Sequence, residues 1–144
     1  YDGTSWAAGG NLGTTRRALG SAGTQTAGLG FGGLTTVAVT DTEEYNGSTW
    51  GPGGAMGTAR YSFAGCGTQT AALGFGGYTP AGNQNATEEY DGSAWTGGGN
   101  LGTARQFLAG AGIQTAALAF GGNIPPTTGV TEEYDGSSWT SNPT

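Results

Sequence analysis

Apolar residues recur along this chain in pairs two positions apart, not in the three-to-four spacing of a helix. Leu29 and Phe31, Leu73 and Phe75, and Leu118 and Phe120 each flank a single Gly or Ala. That is strand periodicity with a very thin opposite face. Each pair runs into two glycines, at 32–33, 76–77 and 121–122, and is preceded by a run of small residues at 19–23, 63–67 and 108–112. The pattern predicts a first strand over each small-residue run and a second over 26–31, 70–75 and 115–120. A third is predicted at Thr-Glu-Glu-Tyr (42–45, 87–90, 131–134), and a fourth carries Trp50, Trp95 or Trp139. Between third and fourth strands stand Asn46-Gly47, Asp91-Gly92 and Asp135-Gly136, which predict two-residue type I′ hairpins, as does Asp2-Gly3 at the start.

The four strands come round again at a fixed interval. Tyrosines at 1, 45, 90 and 134 are separated by 44, 45 and 44 residues, a period that marks stacked supersecondary units. The predicted fold class is therefore all-β, a single array over 1–144 of four-stranded antiparallel meanders. Units span 16–50, 60–95 and 105–139, and residues 1–6 read as the outer strand of a preceding unit. Glycine, at 32 residues, is about three times its usual share of roughly 7%. No Gly-X-Y register runs through the chain, and the recurring Leu, Phe, Tyr and Trp imply side chains that pack. Glycine and alanine in the first strands suit a place where backbones crowd, as at the axis of a radial assembly.

Charge narrows the classes of partner. Four arginines, no lysine and no histidine stand against ten carboxylates, a net charge of −6. Phosphate recognition needs clustered cations, so no nucleic-acid partner is expected. Nor is attraction to an anionic membrane surface, or insertion, since no apolar run approaches about 20 residues. Cys66 takes the place of Ala22 and Ala111 and reads as a small buried hydrophobe. As the single cysteine it leaves the redox compartment open.

The order of an arginine before the first strand, Gly-Gly after the second, then Tyr and Trp on the third and fourth resembles the kelch repeat. The residues are Arg16, Gly32-Gly33, Tyr45 and Trp50; Arg60, Gly76-Gly77, Tyr90 and Trp95; Arg105, Gly121-Gly122, Tyr134 and Trp139. The units are shorter than the roughly 50 residues of a kelch unit and richer in Gly, Ala and Thr. Their wording is similar to kelch-like repeats of bacteriophage virion and tail proteins. The resemblance implies β-propeller blades and a rigid, non-enzymatic platform that binds through its loops, on a virion or outside the cell. A secreted lectin-like or protein-binding propeller and a designed symmetric one are the alternatives. The copper oxidases of the family require histidine, which this chain lacks, and no cofactor or metal is expected. The Asp box of sialidase propellers sets Asp and Trp five apart, whereas Asp135 and Trp139 are four apart.

Functional readings of the repeated residues compete with structural ones. Arg16, Arg60 and Arg105 could hold a carboxylate ligand, but copies in successive units point alike and do not converge, which favours a structural role. The pairs Glu43-Glu44, Glu88-Glu89 and Glu132-Glu133 could be acid–base pairs, but strand neighbours face opposite sides. Trp50, Trp95 and Trp139 could stack on sugars, as could Trp6; packing between units is the simpler role. Asn46 and Asn85 head glycosylation sequons. Only 34–41, 78–86 and 123–130 vary freely between units, so ligand specificity is expected there. Tyr78, Asn83, Gln84, Asn85 and Ile124 are the candidate binding residues, with a glycan or protein receptor as ligand. Propellers need about four to eight blades, so three units call for further blades, from other copies of the chain or from sequence beyond this stretch.

Overall fold

A computed structural model describes residue 1 and residues 3–141; the turn expected at Asp2 lies outside the described residues. The chain forms three four-stranded antiparallel sheets with no helix among those residues. The first sheet is β1 (Gly20–Thr24), β2 (Ala27–Phe31), β3 (Thr42–Tyr45) and β4 (Trp50–Pro52), in that spatial order. The second uses β5 (Ala64–Thr68), β6 (Ala71–Phe75), β9 (Thr87–Tyr90) and β10 (Trp95–Gly97), likewise in order. The short hairpin β7 (Tyr78–Thr79) and β8 (Gly82–Asn83) lies between its second and third strands. The third is β11 (Ala109–Ile113), β12 (Ala116–Phe120), β13 (Thr131–Tyr134) and β14 (Trp139–Ser141).

Registers repeat from sheet to sheet. Tyr45 faces Trp50, Tyr90 faces Trp95 and Tyr134 faces Trp139. Those pairings correct the turn expected between third and fourth strands. Four residues, 46–49 in the first sheet, separate the paired positions, and only the glycine has positive φ (96° at Gly47). A type I′ turn needs positive φ at both central residues, so the hairpin is of another kind. The Asn46 side chain closes it, its Oδ1 accepting from the Ser48 and Thr49 N–H groups at 3.0 and 2.9 Å. Asp91 and Asp135 do the same for 93–94 and 137–138. An Asx side chain mimicking a backbone turn explains why Asn and Asp interchange here. Residues 3–6, expected as part of the outer strand of a preceding unit, carry no strand pairing among the described residues. A strand needs a neighbour to bond, and no third strand lies beside them.

The sheets stack through their first strands, β1 and β11 each lying against β5. Glycine makes this approach possible. A methyl built on Gly65 would sit 2.6 Å from Phe31 Cζ and 2.8 Å from the Ser21 carbonyl oxygen. One apolar cluster joins the first sheet to the second, with Leu29, Phe31, Met56, Phe63, Ala72 and Tyr90. Another joins the second to the third around Leu73, Phe75, Leu108 and Ala119. Backbone bonds reinforce both seams. The Gly33 and Gly77 N–H groups donate to the Arg60 and Arg105 carbonyls of the following unit. Ser62 donates to the Ala18 carbonyl, and Phe107 to that of Ser62. Ala18, Ser62 and Phe107 all have φ between 53 and 56°, left-handed backbone that costs of order 1–3 kcal/mol per residue. Its recurrence at one position shows that the seam geometry outweighs that cost.

Two substitutions separate crowding from mere flexibility. Gly65→Ala should lower stability by about 1–3 kcal/mol, the usual range for overpacking. Gly51→Ala meets no atom within 4 Å and should be neutral or stabilising by up to about 1 kcal/mol through the unfolded chain. Chemical denaturation of the two variants checks both signs.

Candidate functional site

The repeated polar residues assemble into one buried motif per unit. Arg60 and Arg105 are fully buried, and the Arg16 side chain is equally shut off. Arg60 Nη1 donates to the Gly76 and Ala86 carbonyls at 3.1 and 2.6 Å, and Nη2 to the Gly74 carbonyl at 3.1 Å. The remaining reach of Nη2 is to Glu88 Oε1 at 3.2 Å. Arg105 repeats the set with Gly121, Val130, Ala119 and Glu132. Arg16 keeps Gly30 and Glu43, each at 3.2 Å, while its Nη1 faces the Asp41 carboxylate at 3.8 Å. The Arg60 and Arg105 guanidiniums thus tie the glycine-pair exit, the end of the variable segment and the third strand of their own units, and Arg16 ties the second strand to the third. Burial pulls the Arg60 pKa down to about 10, against the pull of Glu88 in the other direction. Burial also lowers that of Arg105, with Glu132 opposing. Arg60 still carries its charge at neutral pH, and no arginine reaches across to another unit's set.

The two glutamates of each pair do different work, as the alternation of a strand requires. Glu43, Glu88 and Glu132 turn inward, and their second oxygens accept from the Gly13, Gly57 and Gly102 N–H groups at 2.6 Å. Glu44 and Glu89 face the next unit and accept from the Tyr90 and Tyr134 hydroxyls at 2.7 and 2.5 Å. Burial, then the bond to Glu89, raises the Tyr134 pKa to about 12, and Tyr90 is raised by the same causes with Glu44. The tryptophans also bind units together. Trp95 packs on Phe31 of the preceding unit at 4.7 Å between ring centroids, and Trp139 on Phe75 at 4.8 Å. Their Nε1–H groups donate to Thr42 and Thr87 of that unit. Trp50 instead donates to the Gly10 carbonyl, and Trp6 is 85% exposed.

Sequence reading passed over the glutamines of the first hairpin. Gln69 Nε2 donates to the Gly28 and Tyr45 carbonyls of the preceding unit, and Gln114 Nε2 to those of Ala72 and Tyr90. Gln25 donates to the Tyr1 carbonyl at 2.8 Å. The signal was Gln at the same place in every unit, between two turn-forming neighbours. Cys66 is buried, and burial raises its thiol to about 11, which removes the thiolate that a nucleophile needs. Among the described residues no three carboxylates or thiols come together as metal ligands.

The variable segments share one edge of the stack. Leu34, Tyr78 and Asn123 each bridge back to the residue after the arginine, namely Arg17, Tyr61 and Gln106. Tyr78 is half-buried against Tyr61, with ring centroids 5.6 Å apart. Asn83 Nδ2 crosses to the Asn123 carbonyl at 3.0 Å and joins two segments. Gln84 spends its amide on Thr79, Gly82 and Asn83 of its own hairpin. Asn85 donates to the Leu101 carbonyl at 3.2 Å, so its sequon nitrogen is committed. Ile124 is half-buried, while Val37 and Phe107 stand out at 65 and 67% exposure. The large apolar side chains that present surface here include Tyr78, Ile124 and two that sequence reading did not single out, Val37 and Phe107.

The chain matches no family model and no curated protein.

Two variants probe this machinery. Arg60→Ala should lower stability by about 3–5 kcal/mol, the cost of leaving a buried partner uncompensated, seen as a large drop in Tm. At the exposed turns, neighbouring N–H groups hold the Asp135 carboxyl down to about 2 and also depress Asp91. A depressed folded pKa gives stability that is present above about 4 and lost as pH falls towards about 2. The double variant Asp91→Asn, Asp135→Asn should keep the fold, as Asn46 does, and lose part of the Tm decline across that window.

Proposed function

We propose that the three sheets are blades of a kelch-like β-propeller and that the protein is a non-enzymatic binding module. Its recognition surface is the edge formed by 34–41, 78–86 and 123–130, with Tyr78, Asn83, Gln84, Asn85 and Ile124 in or beneath it. One observation carries this reading. The repeated arginines and Glu43, Glu44, Glu88, Glu89 and Glu132 are consumed by bonds within the scaffold, while the segments that differ between units emerge together on one edge. Gln84 and Asn85 shape that edge through their backbone bonds; Tyr78 and Ile124, with Val37 and Phe107, offer it apolar surface.

The negative chain (net −6) favours a neutral ligand over a polyanion, and a glycan or protein receptor fits. The wording of the repeats is what supports a virion-surface or tail-associated setting, in which an outward edge would present loops to a host receptor. Rigid scaffold and variable loops are the usual division of labour in such modules.

A loop replacement tests the reading. Binding of the full chain is measured on a glycan array and against a panel of cell-surface receptor ectodomains. The segments 34–41 and 123–130 are then both replaced by the sequence of 78–86. Loss or change of the bound ligand, with Tm held within a few degrees, is the expected outcome. Unchanged binding, or no binding by the parent chain to either set, would overturn it.

A further inference from the structure

The rungs between units run in one direction, so the third sheet carries the acceptor side of the set on its forward face and the first sheet the donor side on its rear face. Going from each sheet to the next, the same donors meet the same acceptors. Glutamine bonds two carbonyls, tyrosine a glutamate, tryptophan a threonine, and a first-strand backbone seats against the one before it. The forward face of the third sheet has the acceptor side of this set. Leu118 and Phe120 are 39 and 40% exposed there, whereas Leu29, Leu73, Phe31 and Phe75 are 0–1% exposed beneath a following unit. The Ala117 and Tyr134 carbonyls and the Thr131 hydroxyl stand where Ala72, Tyr90 and Thr87 receive Gln114 and Trp139. The rear face of the first sheet has the donor side, with Gln25 in the place of Gln69 and Gln114 and Trp50 in that of Trp95 and Trp139.

That rear face shows what it is built to receive. Tyr1 and Trp6 hold their rings 5.2 Å apart, as Tyr45 and Trp50 do at 5.1 Å and Tyr134 and Trp139 at 4.9 Å. The Tyr1 carbonyl takes the Gln25 amide as the Tyr45 carbonyl takes that of Gln69. Tyr1 and Trp6 therefore sit in the seat of a preceding unit's tyrosine–tryptophan corner. The rest of that seat is an open groove lined by Ser21, Ala22, Thr24 and Leu29.

We infer that the third sheet of one copy of this chain seats on the first sheet of a second copy, displacing Tyr1 and Trp6 and taking the Trp50 indole from the Gly10 carbonyl, and that two copies close on each other in this way. Gln25 of the second copy then bonds the Ala117 and Tyr134 carbonyls of the first, and Trp50 the Thr131 hydroxyl. The contact joins unlike faces, so it is head-to-tail, and two such contacts related by a two-fold axis cover both of these faces in each copy. The six units that result lie inside the four-to-eight range of propellers. This step rests on the blade reading of the sheets, yet it stands or falls separately, because loop replacement reads ligand choice and the following test reads only the seam.

Position 110 meets position 64 across an existing seam, where a Cβ built on Gly110 would be 3.2 Å from that of Ala64. By the repeat, Ser21 of one copy faces Ala109 of the other at the same spacing, close to the usual Cβ separation of a disulfide, about 3.5–4.5 Å. The full chain is made with Ser21→Cys and Ala109→Cys, and with Cys66→Ala, the residue of the other units. After mild oxidation, non-reducing electrophoresis should show a species of twice 14.2 kDa with no free thiol. Free thiols, a disulfide within one copy, or a ladder of larger species would each overturn the closed pair. Without any cysteine change, sedimentation should give twice 14.2 kDa for the parent chain and 14.2 kDa for Leu118→Lys, whose side chain lies on an already exposed position. A parent chain that sediments as a monomer at every concentration would overturn it too.

Discussion

Everything in this structure hangs on a guanidinium taken out of water three times over. A buried cation is costly unless its donors are met. Around Arg60 they are met by three backbone carbonyls: one near the end of the second strand, one in the glycine pair beyond it, and one at the end of the variable segment. The planar fork of arginine bonds several such acceptors at once, which an ammonium cannot do. The glutamate that balances its charge uses its other oxygen to hold the link entering the unit. One side chain and one carboxylate therefore fix the positions of four separate backbone segments. The Nε–H groups of Arg16, Arg60 and Arg105 stay without a protein acceptor, as does Arg16 Nη1, so the first unit is the least completely satisfied.

Once each unit is fixed internally, its outward groups fall at constant places and the seams follow. Glu44 can meet Tyr90, and Glu89 Tyr134, because Glu43 and Glu88 have been turned to the other side. Glycine sets how close the sheets come, and the aromatic rings fill what remains. The middle sheet, covered on both faces, buries Leu73, Phe75 and Tyr90 completely. The same rules leave the variable segments free. They are anchored at one end by the glycine pair and at the other by the arginine, and side-chain bonds between those anchors, such as those of Asn83, Gln84 and Asn85, belong to one segment and are not shared by the other units.

Much of this was legible in the chain. Local pattern places the second and third strands within a residue of where they lie, because Leu-x-Phe and Thr-Glu-Glu-Tyr obey a period of two. The first strands run 20–24, 64–68 and 109–113, one residue later than their composition implies. The Asn-Gly and Asp-Gly pairs misled, since a dipeptide shows that a turn occurs but not that its side chain caps two further N–H groups. Gln69 and Gln114 were invisible for a different reason. Their partners lie in the preceding unit, 24 to 42 residues away, and a polar residue in a two-residue turn needs no explanation locally. The same blindness affected Asn85, whose amide reads as free until Leu101 is seen beneath it.

The central claim is that the geometry of the guanidinium, and not its charge, organises each unit. Arg60→Lys keeps the charge and the apolar stem but has one nitrogen where the native side chain uses two. If the claim is right, Arg60→Lys should unfold almost as easily as Arg60→Ala, with denaturation midpoints close together and far below the parent. A lysine variant that recovers most of the parent's stability would contradict it and leave charge balance with Glu88 as the organising interaction.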